Sequence, residues 1–210
     1  MRLSVIIAMY NSCNNVAKTL RDLLSQGHKG EYEVIVINDG SEDDASEVER
    51  ICKESGFTYY SQANDGEASA RNLGVELAKG DYFTFIDADD EIEPNYLTVI
   101  LSEIEGDQYD FITHRWRFVN GFFGDQHEPP LLNWNVWANV YRNYEPWRSV
   151  KFDRDIIFAC DTDWLRRAHR PDMKDLYSDN YVNIYHIDNP NSLTKRYERG
   201  EIPIRRGENG

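Results

Sequence analysis

The sequence predicts an α/β fold, a mostly parallel β-sheet with helices on both faces. Three observations carry that prediction. Over residues 3–117 strand-like and helix-like segments alternate, the pattern of parallel strands joined by crossover helices. The connections between them are short. The segments at 3–9, 33–38 and 82–86 are almost continuous apolar runs, as strands covered on both faces require.

The first strand, residues 3–9, ends at the turn Tyr10-Asn11-Ser12. Asn14 or Asn15 is expected to cap a helix running to about Gln26, with Val16, Leu20, Leu23 and Leu24 on one stripe. Gly27 and Gly30 close it, and residues 33–38 form the second strand, followed by Asp39-Gly40-Ser41. A helix over 43–54 stops at Gly56, and a third strand covers 57–61. After the polar loop Gln62-Ala63-Asn64-Asp65-Gly66 comes a helix over 67–79, then the strand 82–86. Pro94 marks the first turn of a helix to about Glu105, and 110–117 is a fifth strand.

The texture then changes. Residues 121–130 mix glycine, aromatic and polar side chains and read as a lid or acceptor wall. Residues 134–142 and 161–169 are expected to be helical and 181–187 to be a strand, and the tail after Lys195 is expected to be loose at its end.

A chain of 210 residues suits one domain, or one domain with a large appendage. Its 40% hydrophobic and 13% aromatic content supports a real core. No apolar run approaches the roughly 20 residues that span a bilayer, and the N-terminus reads as a strand rather than a signal peptide. Cys13, Cys52 and Cys160 are widely separated, form no metal-ligand spacing and suit a reducing cytoplasm. The net charge of −14 is uneven: residues 1–110 hold 8 Lys+Arg against 23 Asp+Glu, and residues 111–210 hold 15 against 14. So acidic a front half disfavours general nucleic-acid binding.

In open α/β sheets ligands bind at the carboxyl ends of the strands. The polar clusters fall there: Tyr10-Asn11, Asp39-Gly40, Asn64-Asp65-Gly66 and Asp87-Ala88-Asp89-Asp90. Side chains alternate along a strand, so Asp87 and Asp89 are expected on one side. Two hard oxygen donors there suit a divalent cation completed by water and phosphate. The alternative is a carboxylate cluster that ends the strand and caps the next helix.

Four pieces, Ser4 to Asn11, Val34 to Ser41, Ala68-Ser69-Ala70-Arg71-Asn72-Leu73-Gly74 and Gly80 to Asp90, resemble in order and spacing the family 2 glycosyltransferases of the GT-A fold. The resemblance is close over residues 3–115 and looser over 134–195. It implies a metal-dependent, inverting transfer of a sugar from a nucleoside diphosphate, a UDP-sugar above all, to an acceptor hydroxyl. The acceptor would be a glycan, a lipid-linked sugar, a protein or a modified nucleobase. Residues 1–117 would bind the nucleotide sugar, and 118–210 would bind the acceptor and carry the tail, within one domain.

The resemblance also assigns roles. Asp39 would accept an N–H of the base, with a helix N-cap as its alternative. Ala8 and Tyr10 would lie along the nucleoside. Arg71 would face the diphosphate or donor sugar, with a surface ion pair as its alternative. Asp87 would contact ribose or sugar, and Asp89 would hold Mn²⁺ or Mg²⁺. Asp161 falls at the position of the base that takes the acceptor's proton, with Cys160 where the family usually has Glu. A helix N-cap is the alternative for Asp161, and Asp163 is the weaker candidate for the base. His186 is a candidate third metal ligand, and Lys195 or Arg196 would close over the diphosphate. Ala8 stands where the family usually has Pro.

Two other readings compete. A sugar nucleotidyltransferase would need a glycine-rich basic loop after the first strand, where this chain has Ala8-Met9-Tyr10-Asn11-Ser12-Cys13. A non-catalytic nucleotide-sugar module would be a degenerate relative, which Cys160 favours and the set Asp87, Asp89 and Asp161 opposes.

Overall fold

A computed structural model describes residues 1–118, 138–185 and 193–207. The chain runs β1 (Leu3–Met9), α1 (Cys13–Ser25), β2 (Tyr32–Asn38), α2 (Ser46–Ser55), β3 (Thr58–Ser61), α3 (Glu67–Leu77) and β4 (Tyr82–Asp87). It continues through β5 (Glu91–Ile92), α4 (Tyr96–Glu103), β6 (Phe111–Phe118), β7 (Asn139–Arg142), α5 (Cys160–Ala168), β8 (Asp175–Tyr185) and α6 (Leu193–Glu198). Among the described residues one eight-stranded sheet forms, in the order β3-β2-β1-β4-β7-β6-β8-β5. Its first four strands are all parallel, as expected. Beyond β4 the sheet becomes mixed: β7 runs antiparallel to β4 and β6, β6 and β8 are parallel, and β5 is antiparallel to β8.

The continuous apolar strands serve two cores. Val5, Ile7 and Met9 of β1 pack with Val16, Leu20 and Leu23 of α1, Val48 of α2 and Leu97 of α4. On the other face, Ile6 and β4 residues Phe83 and Phe85 pack with Ala70 and Val75 of α3 and Trp164 of α5. A Cβ at Gly74 would sit 2.3 Å from Ile6 Cγ2, so α3 lies against β1 at a distance only glycine allows. Phe152 stacks on Trp164 with ring centroids 4.5 Å apart, and Trp164 Nε1 donates to the Val150 carbonyl. This aromatic layer anchors α5 over the end of β4.

Several local expectations give way to tertiary contacts. Residues 139–142, expected to be helical, form β7, because β4 and β6 supply hydrogen-bonding edges on both sides. Neither Asn14 nor Asn15 caps α1; the Cys13 N–H donates instead to Asp43 Oδ2 at 2.8 Å, from a different part of the chain. Leu24 is exposed at the edge of the stripe, and Cys13 and Ala17 are buried instead. Pro94 precedes α4, whose N-cap is Asn95. The tail is held as far as Arg206, where Ile157 N–H donates to Ile204 O and Arg206 N–H to Asp155 O, and its end, 208–210, lies outside the described residues. The 121–130 wall, residues 134–137 and His186 lie outside the described residues. Among those described, no helix is long and apolar enough to cross a membrane.

Candidate active site

Strand register brings the predicted positions together. Ala8 pairs with Ile37 of β2 on one side and with Asp87 of β4 on the other, and Asp39 N–H donates to Met9 O at 2.9 Å. The carboxyl ends of β1, β2 and β4 therefore form one ledge. Tyr10 stands just beyond it with its ring exposed, a flat apolar face at the rim.

At the β2 end, Asp39 is buried and its carboxylate holds the following loop. Oδ1 accepts Gln62 Nε2 at 2.7 Å and Asp65 N at 3.0 Å, and Oδ2 accepts Gly66 N at 2.8 Å. Three N–H groups use three of the roughly four lone-pair directions that a carboxylate offers. Gly40 makes this approach possible: its φ is +74°, and a Cβ there would meet Asn64 N at 2.7 Å. From outside, Asp65 pairs with Arg154 and, at 3.5 Å, with Arg206, which also donates to the Asp65 carbonyl. Asp39 is thus neither a helix N-cap nor solvent-facing; it is a loop anchor at the ledge.

At the β4 end the arrangement is ionic. Arg71 of α3 is buried, with its guanidinium 5.8 Å from the ring centroids of both Phe85 and Phe152. Nη2 donates to Asp87 Oδ1 at 2.7 Å and pairs with Glu67 Oε1 at 2.8 Å, while Nη1 lies 3.6 Å from Cys160 Sγ. Arg71 is therefore no surface ion pair. Burial pushes the Asp87 carboxyl up to about 7 against the pull of Arg71, and Glu67 and Asp89 add to the rise. Burial raises Glu67 as well, helped by Asp161 and Asp89 and opposed by Arg71. More carboxylates than cations share this site, and each makes the next harder to ionise.

Asp161 belongs to the same cluster. The N-cap of α5 is Ala159, at φ +64°, so Asp161 lies inside the first turn and is not the cap. Its Oδ1 accepts the Thr162 N–H at 2.8 Å. Burial lifts it to about 6, opposed by Arg71 and by that backbone bond, and assisted by Asp87. Asp163 points elsewhere and pairs with Arg167 at 2.6 Å.

Asp89 reaches the cluster by a different route from strand alternation. β4 stops at Asp87, and Asp90 N–H donates back to Asp87 O in a turn. The turn leaves Asp89 near enough to Asp87 and Glu67 for its charge to raise both. Lys195 and Arg196 pair with Glu198 and Glu201 of their own segment. Sequence reasoning missed Glu67, although its spacing of four from Arg71 is a helical ion-pair signal. It also missed Gln62, Arg154 and Arg206, whose partners are far away in sequence.

The sequence profile described as Glycosyl transferase family 2 matches residues 4–169. An uncharacterized glycosyltransferase of Rickettsia conorii is 34% identical over 142 residues, 66% of this chain and 23% of that protein. Glycosyltransferase GlyA of Streptococcus pneumoniae is 32% identical over 158 residues, 69% of this chain and 22% of that protein. The chain thus spans less than a quarter of these two relatives' length. Among solved structures, S. aureus TarS 1–349 in complex with UDP superposes with a TM-score of 0.77 at 23% identity, covering 94% of this chain and 63% of that one. Mannosyltransferase PcManGT from Pyrobaculum calidifontis, in complex with GDP-Man and Mn²⁺, gives 0.70 at 15% identity, covering 95% and 61%. These likenesses show the fold, a GT-A-type mixed sheet flanked by helices.

Proposed function

The chain belongs to glycosyl transferase family 2, and on that premise we propose that it moves a sugar, with inversion, from a nucleoside diphosphate to an acceptor hydroxyl. The observation that carries this reading is the convergence of Asp87 and Asp161 on the buried Arg71 at the carboxyl ends of β1 and β4. Ala8, Tyr10 and Asp39 line the nucleoside side of the ledge. Asp39 anchors the loop and keeps one lone-pair direction for an N–H of the base, uracil in a UDP-sugar. The solved structures with UDP and with GDP-Man support this class of donor. Residues 1–117 bind the donor, and residues 118–210 carry the acceptor side and the base.

In the transfer step the acceptor oxygen attacks the anomeric carbon, and the bond from that carbon to the phosphate oxygen breaks. The bonding electron pair leaves with the nucleoside diphosphate, and the acceptor's proton passes to Asp161. Burial holds that carboxyl at about 6, which keeps it ionised near neutral pH yet basic enough to take a proton. Arg71 faces the departing phosphates.

The residues present fit a divalent cation. Among those described, no three His, Cys, Asp or Glu side chains converge on a metal position, so water and substrate phosphates would complete the coordination. The donors are hard carboxylate oxygens in anionic excess, the chemistry of Mn²⁺ or Mg²⁺. Asp89 would hold the ion, with His186 as a further candidate, and the charge it would supply there offsets that of the leaving diphosphate. PcManGT with Mn²⁺ supports that choice. The three buried, unbridged cysteines support a cytoplasmic setting.

Calorimetry with UDP and GDP, with and without Mn²⁺, tests the reading. Metal-dependent binding that Asp89→Ala abolishes is the expected result. Absence of nucleotide binding in both would overturn it. Asp161→Asn should bind nucleotide normally and lose transfer, and a retained rate would remove the base assignment.

A further inference from the structure

Glu67 stands one turn before Arg71 on α3. Its Oε1 lies 2.8 Å from Arg71 Nη2, the nitrogen that also donates to Asp87. Its Oε2 accepts the Cys160 thiol at 3.8 Å across the gap to α5. A single carboxylate therefore touches the buried cation of the site and the residue immediately before Asp161. No motif in the sequence pointed to it.

Charge makes that position consequential. Arg71 is the cation that draws on Asp161, and a carboxylate locked in a full ion pair with a guanidinium is a poor base. Glu67 and Asp87 instead share Arg71 Nη2, and among the described residues no ion pair reaches Asp161. The Cys160 side chain occupies the space between Arg71 Nη1 and the start of α5, and its thiol can donate to Glu67. Glu67 thus fixes the guanidinium from one side and the first turn of α5 from the other.

We propose that Glu67 is a positioning residue for the transfer reaction: it balances Arg71 and keeps it from closing on Asp161, which leaves that carboxylate available to the acceptor's proton. This rests on the reading of Asp161 as the base.

Glu67→Gln keeps the shape of the side chain and removes its charge. With UDP-GlcNAc and GDP-Man as probes for slow hydrolysis, the substitution should lower kcat by about tenfold or more while KM stays within about twofold, the split expected of a lost transition-state effect. Glu67→Asp, which keeps the charge, should recover part of kcat. A thermal melt confirms that each variant is folded. Independently of nucleotide, the Asp161 carboxyl reports the same charge balance, because burial lifts it and Arg71 pulls it down. Glu67→Gln should therefore lower the titration midpoint of the Asp161 carboxyl, read by ¹³C NMR with Asp161→Asn to assign the signal.

An Asp161 midpoint that does not fall overturns the proposal, whatever the nucleotide result. A lower midpoint with unchanged kcat removes the positioning role, and a raised KM at constant kcat would make Glu67 a donor contact instead. A parent protein that hydrolyses neither probe counts against the functional reading alone, because the Asp161 midpoint still decides whether Glu67 balances Arg71.

Discussion

At the end of β2, Asp39 is 3% exposed and spreads its charge over two backbone N–H groups and one side-chain amide. At the end of β4, Asp87 shares a single guanidinium with Glu67, with Asp89 and Asp161 close by. The two strand ends belong to one sheet and carry the same type of residue. Neutral donors complete the first site: it shapes a loop and needs no counter-ion. The second has more anions than cations, so it is poised to change with protons or with an arriving cation. An Asp at a strand end therefore has no fixed meaning until its donors are known.

The sharpest way to break the contrast is Arg71→Met. It leaves half-buried carboxylates without their buried shared cation, and urea unfolding should show a loss of about 2–4 kcal/mol. The corresponding change at the other end, Asp39→Asn, leaves N–H donors facing an amide and should cost about 1–3 kcal/mol.

Acidity separates the two ends next. The folded state holds protons on Asp87 up to about 7 and on Asp161 up to about 6, where the unfolded chain has already lost them above the ordinary carboxylate range. The folded form then binds more protons, so stability falls as pH rises from about 4 to about 7. Tm should drop across that window, and Asp87→Asn should flatten the slope. A slope unchanged by Asp87→Asn would place the protons elsewhere. The smallest effect belongs to the outer tie on the Asp39 loop: Arg154→Ala removes an exposed pair with Asp65 and should change stability by at most about 1 kcal/mol.

Much of this architecture can be read directly from the chain. β1 matches its expected bounds, Gly56 stops α2 at φ +77°, and α3 begins at Glu67 as expected. Residues 139–142 were not legible, because Val140 and Tyr141 favour a strand over only two positions, too short a run to decide before β4 and β6 flank it. Neither was the tail, whose Arg206 meets Asp65 from 141 residues away. Of the site, Arg71, Asp87, Asp89 and Asp161 were visible as motif positions, whereas Glu67 gave only a helical spacing.

By itself the sequence determined the alternation of strands and helices and the delivery of polar clusters to one edge of the sheet. Hydrophobic period and turn chemistry act over a few residues, so a linear reading captures them. Only the tertiary structure decided that Asp39 anchors a loop, that one guanidinium serves several carboxylates, and that Cys160 lies against Arg71 across 89 residues of chain. Those outcomes depend on burial and on which distant donors arrive. Both set the energy of a charge, and neither is written in its immediate neighbours.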